Sequence, residues 1–282
     1  MLKQRVITAV VLLAILLPAL FYPSYVPFCA ITLVLISAGG WEWGRLNGCS
    51  QPMSVLIGLT CLLACLLSWS AGLLTPSLPW LWSAAGATWV LVGGWLLRSG
   101  VSGWPQISKP LRLLVGAVAI WLAWLALAQA RVIGINFLLS VMVLVWAADI
   151  GAYFSGKAFG TRFTKTKLAA SISPGKSWEG VWGGMVCVLL LALGWILLDR
   201  SGATLTPSIY SLLVSRHGWV VMLIAVVFLS AMSVVGDLVE SLVKRSAGAK
   251  DSSGLLPGHG GVLDRVDALL PTLPLAMMLA SL

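Results

Sequence analysis

Nine apolar stretches, each about 20 residues long, follow one another through this chain and dictate what it can fold into. They cover roughly 5–22, 26–46, 52–71, 79–98, 110–131, 134–156, 179–198, 218–243 and 262–281. A run of about 20 apolar residues crosses a bilayer as a helix, with every backbone polar group bonded internally. The runs are continuous rather than alternating, which excludes the strands of a membrane barrel. Only 10% of the residues are charged and the mean hydropathy is +0.98, whereas a soluble domain carries about 25% charged residues. The expected fold is therefore all-α: a polytopic membrane protein with about nine transmembrane helices, built as one integral membrane domain over residues 1–282.

The first stretch, LKQRVITAVVLLAILLPALFY, has the basic start and apolar centre of a signal peptide. It lacks a small-x-small cleavage site and is read as a retained anchor. With the N-terminus inside, Lys3, Arg5, Arg45 and most other basic residues fall in inner loops, whereas Arg131, Arg200 and Arg216 fall in outer ones. This asymmetry is the positive-inside pattern and predicts a multi-pass protein of a bacterial inner membrane. The net charge of +9 then reflects topology and attraction for lipid headgroups and phosphates, not nucleic acid. Cys29, Cys49, Cys61, Cys65 and Cys187 form no CxxC pair, and helix packing accounts for them better than zinc or disulfides.

Up to about residue 130 the charges sit at span ends, and GGWEWGRL and WLWSAAGATWVLVGGW suit interfacial anchoring and close packing. These small-residue surfaces also permit a homodimer. Glu42, the one acidic residue there, reads as a headgroup-level carboxylate beside Arg45. After residue 140, Asp149, Glu179, Asp237, Glu240, Asp264 and Asp267 lie in or beside spans. Carboxylates at membrane depth are costly, and several at one level point to a shared polar site rather than isolated ion pairs.

Residues 241–267, SLVKRSAGAKDSSGLLPGHGGVLDRVD, hold seven Asp, Lys and Arg residues and one of two histidines. Asp237, Glu240 and Lys244 are spaced i, i+3, i+7 and share a helical stripe, and Asp264 and Asp267 repeat the i, i+3 spacing. Oxygen ligands without clustered Cys or His suit a hard cation such as Mg²⁺. Lys244, Arg245, Lys250 and Arg265 can bind phosphate oxygens, with His259 as a further donor or as a simple helix cap. The glycines of LPGHGGVLD would let backbone amides approach an anion at a helix start.

A second cluster, DIGAYFSGKAFGTRFTKTKLAASISPGKSWEGVWGG, begins at 149. Asp149, Tyr153 and Lys157 lie on nearly one face, followed by a basic loop through Lys165 and Lys167 to Ser173, Lys176 and Glu179. ASISPGKS narrowly misses the P-loop pattern and lacks a strand–loop–helix frame, so a Walker fold is rejected while phosphate contact by Lys176 is retained.

The order Ser241, Lys244-Arg245, Lys250-Asp251, LLPGHGGVLDRVD resembles the signature of the phosphatidate cytidylyltransferase (CDP-diacylglycerol synthase) family. DIGAYFSGKAFG and SPGKSWEGVWGG are similar to two further regions of that family, although Gly175 stands where members often carry a second lysine. The resemblance is close over about 140–282. It divides the domain into N-terminal membrane helices (1–133) and catalytic helices and loops (134–282). It implies CTP plus phosphatidic acid giving CDP-diacylglycerol and pyrophosphate, with Mg²⁺, at the cytoplasmic face. On that basis Asp237 and Asp264 are the first metal-ligand candidates, followed by Asp267, Asp251 and Asp149. Lys244, Arg245, Lys250, Arg265 and His259 would hold the triphosphate or leaving pyrophosphate; Lys157 and Lys176, with Ser173 and Tyr153 nearby, would face CTP or the lipid phosphate. A CDP-alcohol phosphotransferase would show a DG..AR pattern, absent here, and a transporter would show internal repeats and midplane carboxylates.

Overall fold

A computed structural model describes residues 2–282. Eight of its helices are long and apolar enough to cross a membrane: α1 (Leu2–Phe21), α2 (Val26–Leu46), α3 (Gln51–Ser70), α4 (Pro79–Gly103), α5 (Lys109–Ile133), α6 (Ile135–Phe159), α7 (Trp178–Arg200) and α8 (Ile209–Ser246). Four of them, α2 to α5, begin with proline in the first turn, where its missing N–H costs nothing. Within α8 the backbone breaks at Gly218 (φ 81°), so a short helix over 209–217 precedes the long apolar one. Glycine is suited to that positive φ, which side-chain-bearing residues avoid.

The last expected span, 262–281, is not one helix. It divides into α9 (Leu263–Val266) and α10 (Leu269–Ser281). Pro271 has no N–H for the carbonyl of Asp267 four residues earlier, and its ring crowds that oxygen. The carbonyl instead accepts from Leu270 N in a tighter turn (3.3 Å), while Asp267 Oδ1 accepts from Ala268 N (2.7 Å). At 13 residues α10 is about 20 Å long, short of the hydrocarbon thickness. It is buried nearly all round, packed among α4, α5, α6 and α8, and forms the centre of the bundle.

Glycines bring the helices close. A Cβ on Gly184 of α7 would stand 2.7 Å from the Ala148 carbonyl of α6, so these helices meet backbone to backbone, as small residues permit in membranes. Large apolar side chains such as Val34, Leu91, Leu190 and Val220 point outward, where lipid would cover them.

At one end of the bundle the starts of α1 and α5 bond to the loops that follow α8 and α2. Thr8 Oγ1 donates to the Pro257 carbonyl (2.9 Å) and Lys109 Nζ to that of Gly48 (2.6 Å). At the other end the buried Arg131 guanidinium donates to the carbonyls of Leu20 and Tyr22. Between α6 and α7, where a basic loop was expected, the chain forms an antiparallel hairpin of β1 (Lys167–Ala169) and β2 (Ser173–Ser177). Gly175 and Lys176 therefore lie in a strand that runs directly into α7, with no phosphate-cradling loop between. Ser177 caps that helix, accepting from Gly180 N at 3.2 Å.

Candidate active site

The polar cluster is assembled at the hairpin end by α6, β2, α8, α9 and the 247–262 loop. A cavity of about 440 Å³ is lined by Asp149, Tyr153 and Lys157 from α6, Lys176 from β2 and Asp237 from α8. The i, i+4, i+8 spacing of the α6 residues places them on one side, as their sequence positions require. Lys176 Nζ lies 2.5 Å from Asp237 Oδ2, and Ser241 Oγ donates to Asp237 Oδ1 at 3.3 Å. Tyr153 is exposed, its ring edge-on to Phe154.

About two turns beyond Asp237 on α8, Lys244 stands between two acids. It forms an ion pair with Glu240 and reaches Asp264 Oδ1 at 2.5 Å. Asp264 Oδ2 accepts from Ser252 N (2.8 Å), Ser252 Oγ (2.9 Å) and Gly261 N (2.7 Å). These are charge-assisted bonds to an ionised acceptor, the stronger class. Lys244 is thus engaged by acids within the protein rather than standing ready for phosphate.

The amides of the GHGG turn do not form an open anion cradle, as expected from their glycines. Gly261 N is taken by Asp264, and Val262 N and Leu263 N by Glu42 Oε1 and Oε2 (2.9 and 2.8 Å). The anion at this turn is the protein's own. Glu42 is correspondingly not at headgroup level: it is fully buried, and Arg45 instead lies over the Trp41 ring. Glycine is required where the turn closes, since a Cβ at 261 would stand 2.0 Å from Ser252 Oγ and 2.3 Å from Glu42 Oε1.

The remaining predicted residues surround this core. Arg265 donates twice to the His259 carbonyl (2.9 and 2.5 Å), and His259 Nδ1 is buried without a partner. Arg245 Nε approaches the Ile172 carbonyl at 3.4 Å, joining α8 to the hairpin. Ser173 opens β2 opposite Ala169. Lys250 and Asp251 are exposed on the loop. Sequence reasoning missed the roles of Glu42 and Ser252; the one available signal was an acid set among glycines and tryptophans in an apolar run.

Asp267 links the two halves of the cluster, lying near Asp149 and Asp237 on one side and near Glu240 and Lys244 on the other, while Lys176 accompanies Asp149 and Asp237. Among the described residues no three His, Cys, Asp or Glu side chains converge as a ready ligand set. A Mg²⁺ ion asks for less, commonly one or two carboxylates with substrate phosphates completing its shell. Oxygen donors with a surplus of negative charge fit such an ion.

A family model described as the cytidylyltransferase family matches residues 3–282. The chain belongs to that family. The match takes in the N-terminal half, beyond the 140–282 stretch in which the resemblance is visible by motif. The chain is 40% identical over 283 residues to a phosphatidate cytidylyltransferase of Pseudomonas aeruginosa, covering 97% of this chain and 95% of that one. It is 39% identical over 298 residues to a Haemophilus influenzae protein of the same name, covering 97% and 96%. To the Bacillus subtilis protein of that name it is 40% identical over 149 residues, covering 53% of this chain and 49% of the other.

Proposed function

We propose that this cytidylyltransferase-family chain transfers the cytidylyl group of CTP to phosphatidic acid, giving CDP-diacylglycerol and pyrophosphate for phospholipid synthesis. The observation that carries the reading is the pair of lysine–carboxylate contacts, Lys176 with Asp237 and Lys244 with Asp264, about two turns apart along α8 at one end of an apolar bundle. A nucleotide can reach such a site from water and a lipid phosphate from the bilayer.

In the reaction a phosphate oxygen of the lipid attacks the α-phosphorus of CTP. A new P–O bond forms, the bond from the α-phosphorus to the α,β-bridging oxygen breaks, and that oxygen leaves on pyrophosphate with the electron pair. The nucleophile is ionised near neutral pH, so no side chain has to remove a proton. The protein's work is alignment and charge neutralisation. Lys157 and Lys176 face the cavity and would hold phosphate oxygens of CTP or the lipid. Lys244, Arg245, Lys250, Arg265 and His259 would hold the triphosphate and the departing pyrophosphate. As anionic phosphates arrive, Lys176 and Lys244 can exchange their carboxylate partners for phosphate. Asp237 and Asp264 would hold Mg²⁺, with Asp267, Asp251 and Asp149 as further candidate ligands. Bound Mg²⁺ would supply neutralisation of triphosphate charge. The positive-inside distribution favours an inner membrane location with the N-terminus and the site facing the cytoplasm.

The test is conversion of phosphatidic acid by purified protein in detergent, with CTP and either Mg²⁺ or excess chelator. Equimolar CDP-diacylglycerol and pyrophosphate that require Mg²⁺ are expected. CTP binding without lipid product would point to a different acceptor.

A further inference from the structure

Glu42 comes from α2, far in sequence from the signature loop, and is buried at 0% exposure. Its Oε1 accepts from Ser253 Oγ (2.5 Å) and Val262 N (2.9 Å), and its Oε2 from Ser252 Oγ (3.1 Å) and Leu263 N (2.8 Å). Three donors of its own and one hydroxyl shared with Asp264 therefore surround this carboxylate, and they come from both ends of the 252–263 loop.

The same groups hold Asp264. Of three consecutive amides, Gly261 N goes to Asp264, and Val262 N and Leu263 N go to Glu42. Ser252 gives its N–H to Asp264, while its Oγ lies within hydrogen-bond reach of both acids. A serine hydroxyl has one proton to give, so Ser252 can serve either carboxylate and links the position of one to that of the other. The close fit at Gly261 leaves the turn no slack. On the other side, α2 is fixed beside Glu42 by Trp43, which donates to the Arg112 carbonyl (3.1 Å) and packs edge-on against Trp104.

We infer that Glu42 is a positioning residue for the reaction: through Ser252 and the 261–263 turn it sets the orientation of Asp264 against Lys244. The inference rests on the proposed cytidylyl transfer for its catalytic consequence, but not for the loop geometry. Groups that orient a metal-binding carboxylate typically matter by about 10- to 100-fold in affinity or activity. A glutamine at 42 keeps the shape but turns an NH₂ donor toward donors, so it disrupts the clamp. Ser252→Ala removes only the bridging hydroxyl and is the milder variant, useful if Glu42→Gln folds poorly.

The experiment compares wild type, Glu42→Gln and Ser252→Ala in CTP–phosphatidate turnover across Mg²⁺ concentrations, with melting and amide hydrogen exchange measured on the same preparations. Expected in both variants are a kcat lower by about 10- to 100-fold per folded molecule and a raised half-activating Mg²⁺ concentration. Faster exchange confined to the 250–264 segment should accompany them. An unchanged kcat and Mg²⁺ midpoint per folded molecule would overturn the inference, leaving Glu42 a structural cap. If wild type itself makes no CDP-diacylglycerol, the proposed function fails. The exchange data then decide the clamp: acceleration at 250–264 in Glu42→Gln supports it, and wild-type exchange there overturns it.

Discussion

Replacing Lys244 by methionine tests the electrostatics of the site through stability alone. The side chains of Lys244, Glu240 and Asp264 expose 11%, 3% and 7% of their surface, so the substitution strands two enclosed carboxylates. Asp264 keeps two backbone donors, Ser252 N and Gly261 N, and shares the Ser252 hydroxyl with Glu42. Glu240 keeps none, because neither of its oxygens accepts an aligned hydrogen bond. Most of the cost therefore falls on Glu240. Removing one partner of a buried pair typically costs about 3–5 kcal/mol. At about 2–4 °C per kcal/mol for chains of roughly this size, the melting temperature should fall by roughly 6–20 °C. Tryptophan fluorescence during heating in detergent micelles reads it directly. The double variant Lys244→Met/Glu240→Leu removes the stranded charge and should recover at least half of the loss. A single variant melting within about 2 °C of wild type, or a double variant that recovers nothing, would refute the enclosed-pair account.

Other substitutions separate chemistry from packing. Asp237→Asn breaks a contact whose members are each about a quarter exposed, at 26% and 27%, so stability should change by less than about 1 kcal/mol. Turnover should nevertheless fall by about 100-fold or more, measured as CDP-diacylglycerol formed per minute. Gly261→Ala drives a Cβ into Ser252 Oγ and Glu42 Oε1 and should destabilise by about 1–3 kcal/mol, read by thermal melting. Gly184→Ala, crowding the Ala148 carbonyl, should cost a similar about 1–3 kcal/mol. Gly194→Ala on the same helix meets nothing within 4 Å and should be neutral or stabilising by up to about 1 kcal/mol; equal effects at the two positions would discredit the packed α6–α7 seam.

Most of the bundle is legible because a membrane leaves the backbone few choices: an apolar run must be a helix, and the runs ending at Leu46 and beginning at Gly218 fall close to structural boundaries. The break before α10 escaped a hydropathy reading because Asp267, Ala268 and Pro271 sit in an otherwise apolar run. The decisive effect is the lost donor of Pro271, which apolarity does not register. Site residues close in sequence, such as Asp237, Glu240 and Lys244, were visible as one helical stripe. Glu42 was not, since its partner Ser252 lies 210 residues away. Arg45, three positions on, offered a local explanation that the structure replaces with stacking on Trp41. The GHGG glycines suggested amides open to a bound anion, but the close contacts at this turn admit internal carboxylates instead. Sequence spacing cannot distinguish an anion supplied by a ligand from one supplied by a distant helix.

The central claim is that the α-phosphorus of CTP passes to a lipid phosphate. Purified protein should be given phosphatidic acid and Mg²⁺ with CTP radiolabelled at either the α- or the γ-phosphorus. The account predicts that α-label enters the lipid fraction as CDP-diacylglycerol while γ-label stays in water as pyrophosphate, and that Asp264→Asn abolishes both. Transfer of γ-label to lipid, or no labelled lipid from either form with folded protein, would contradict it.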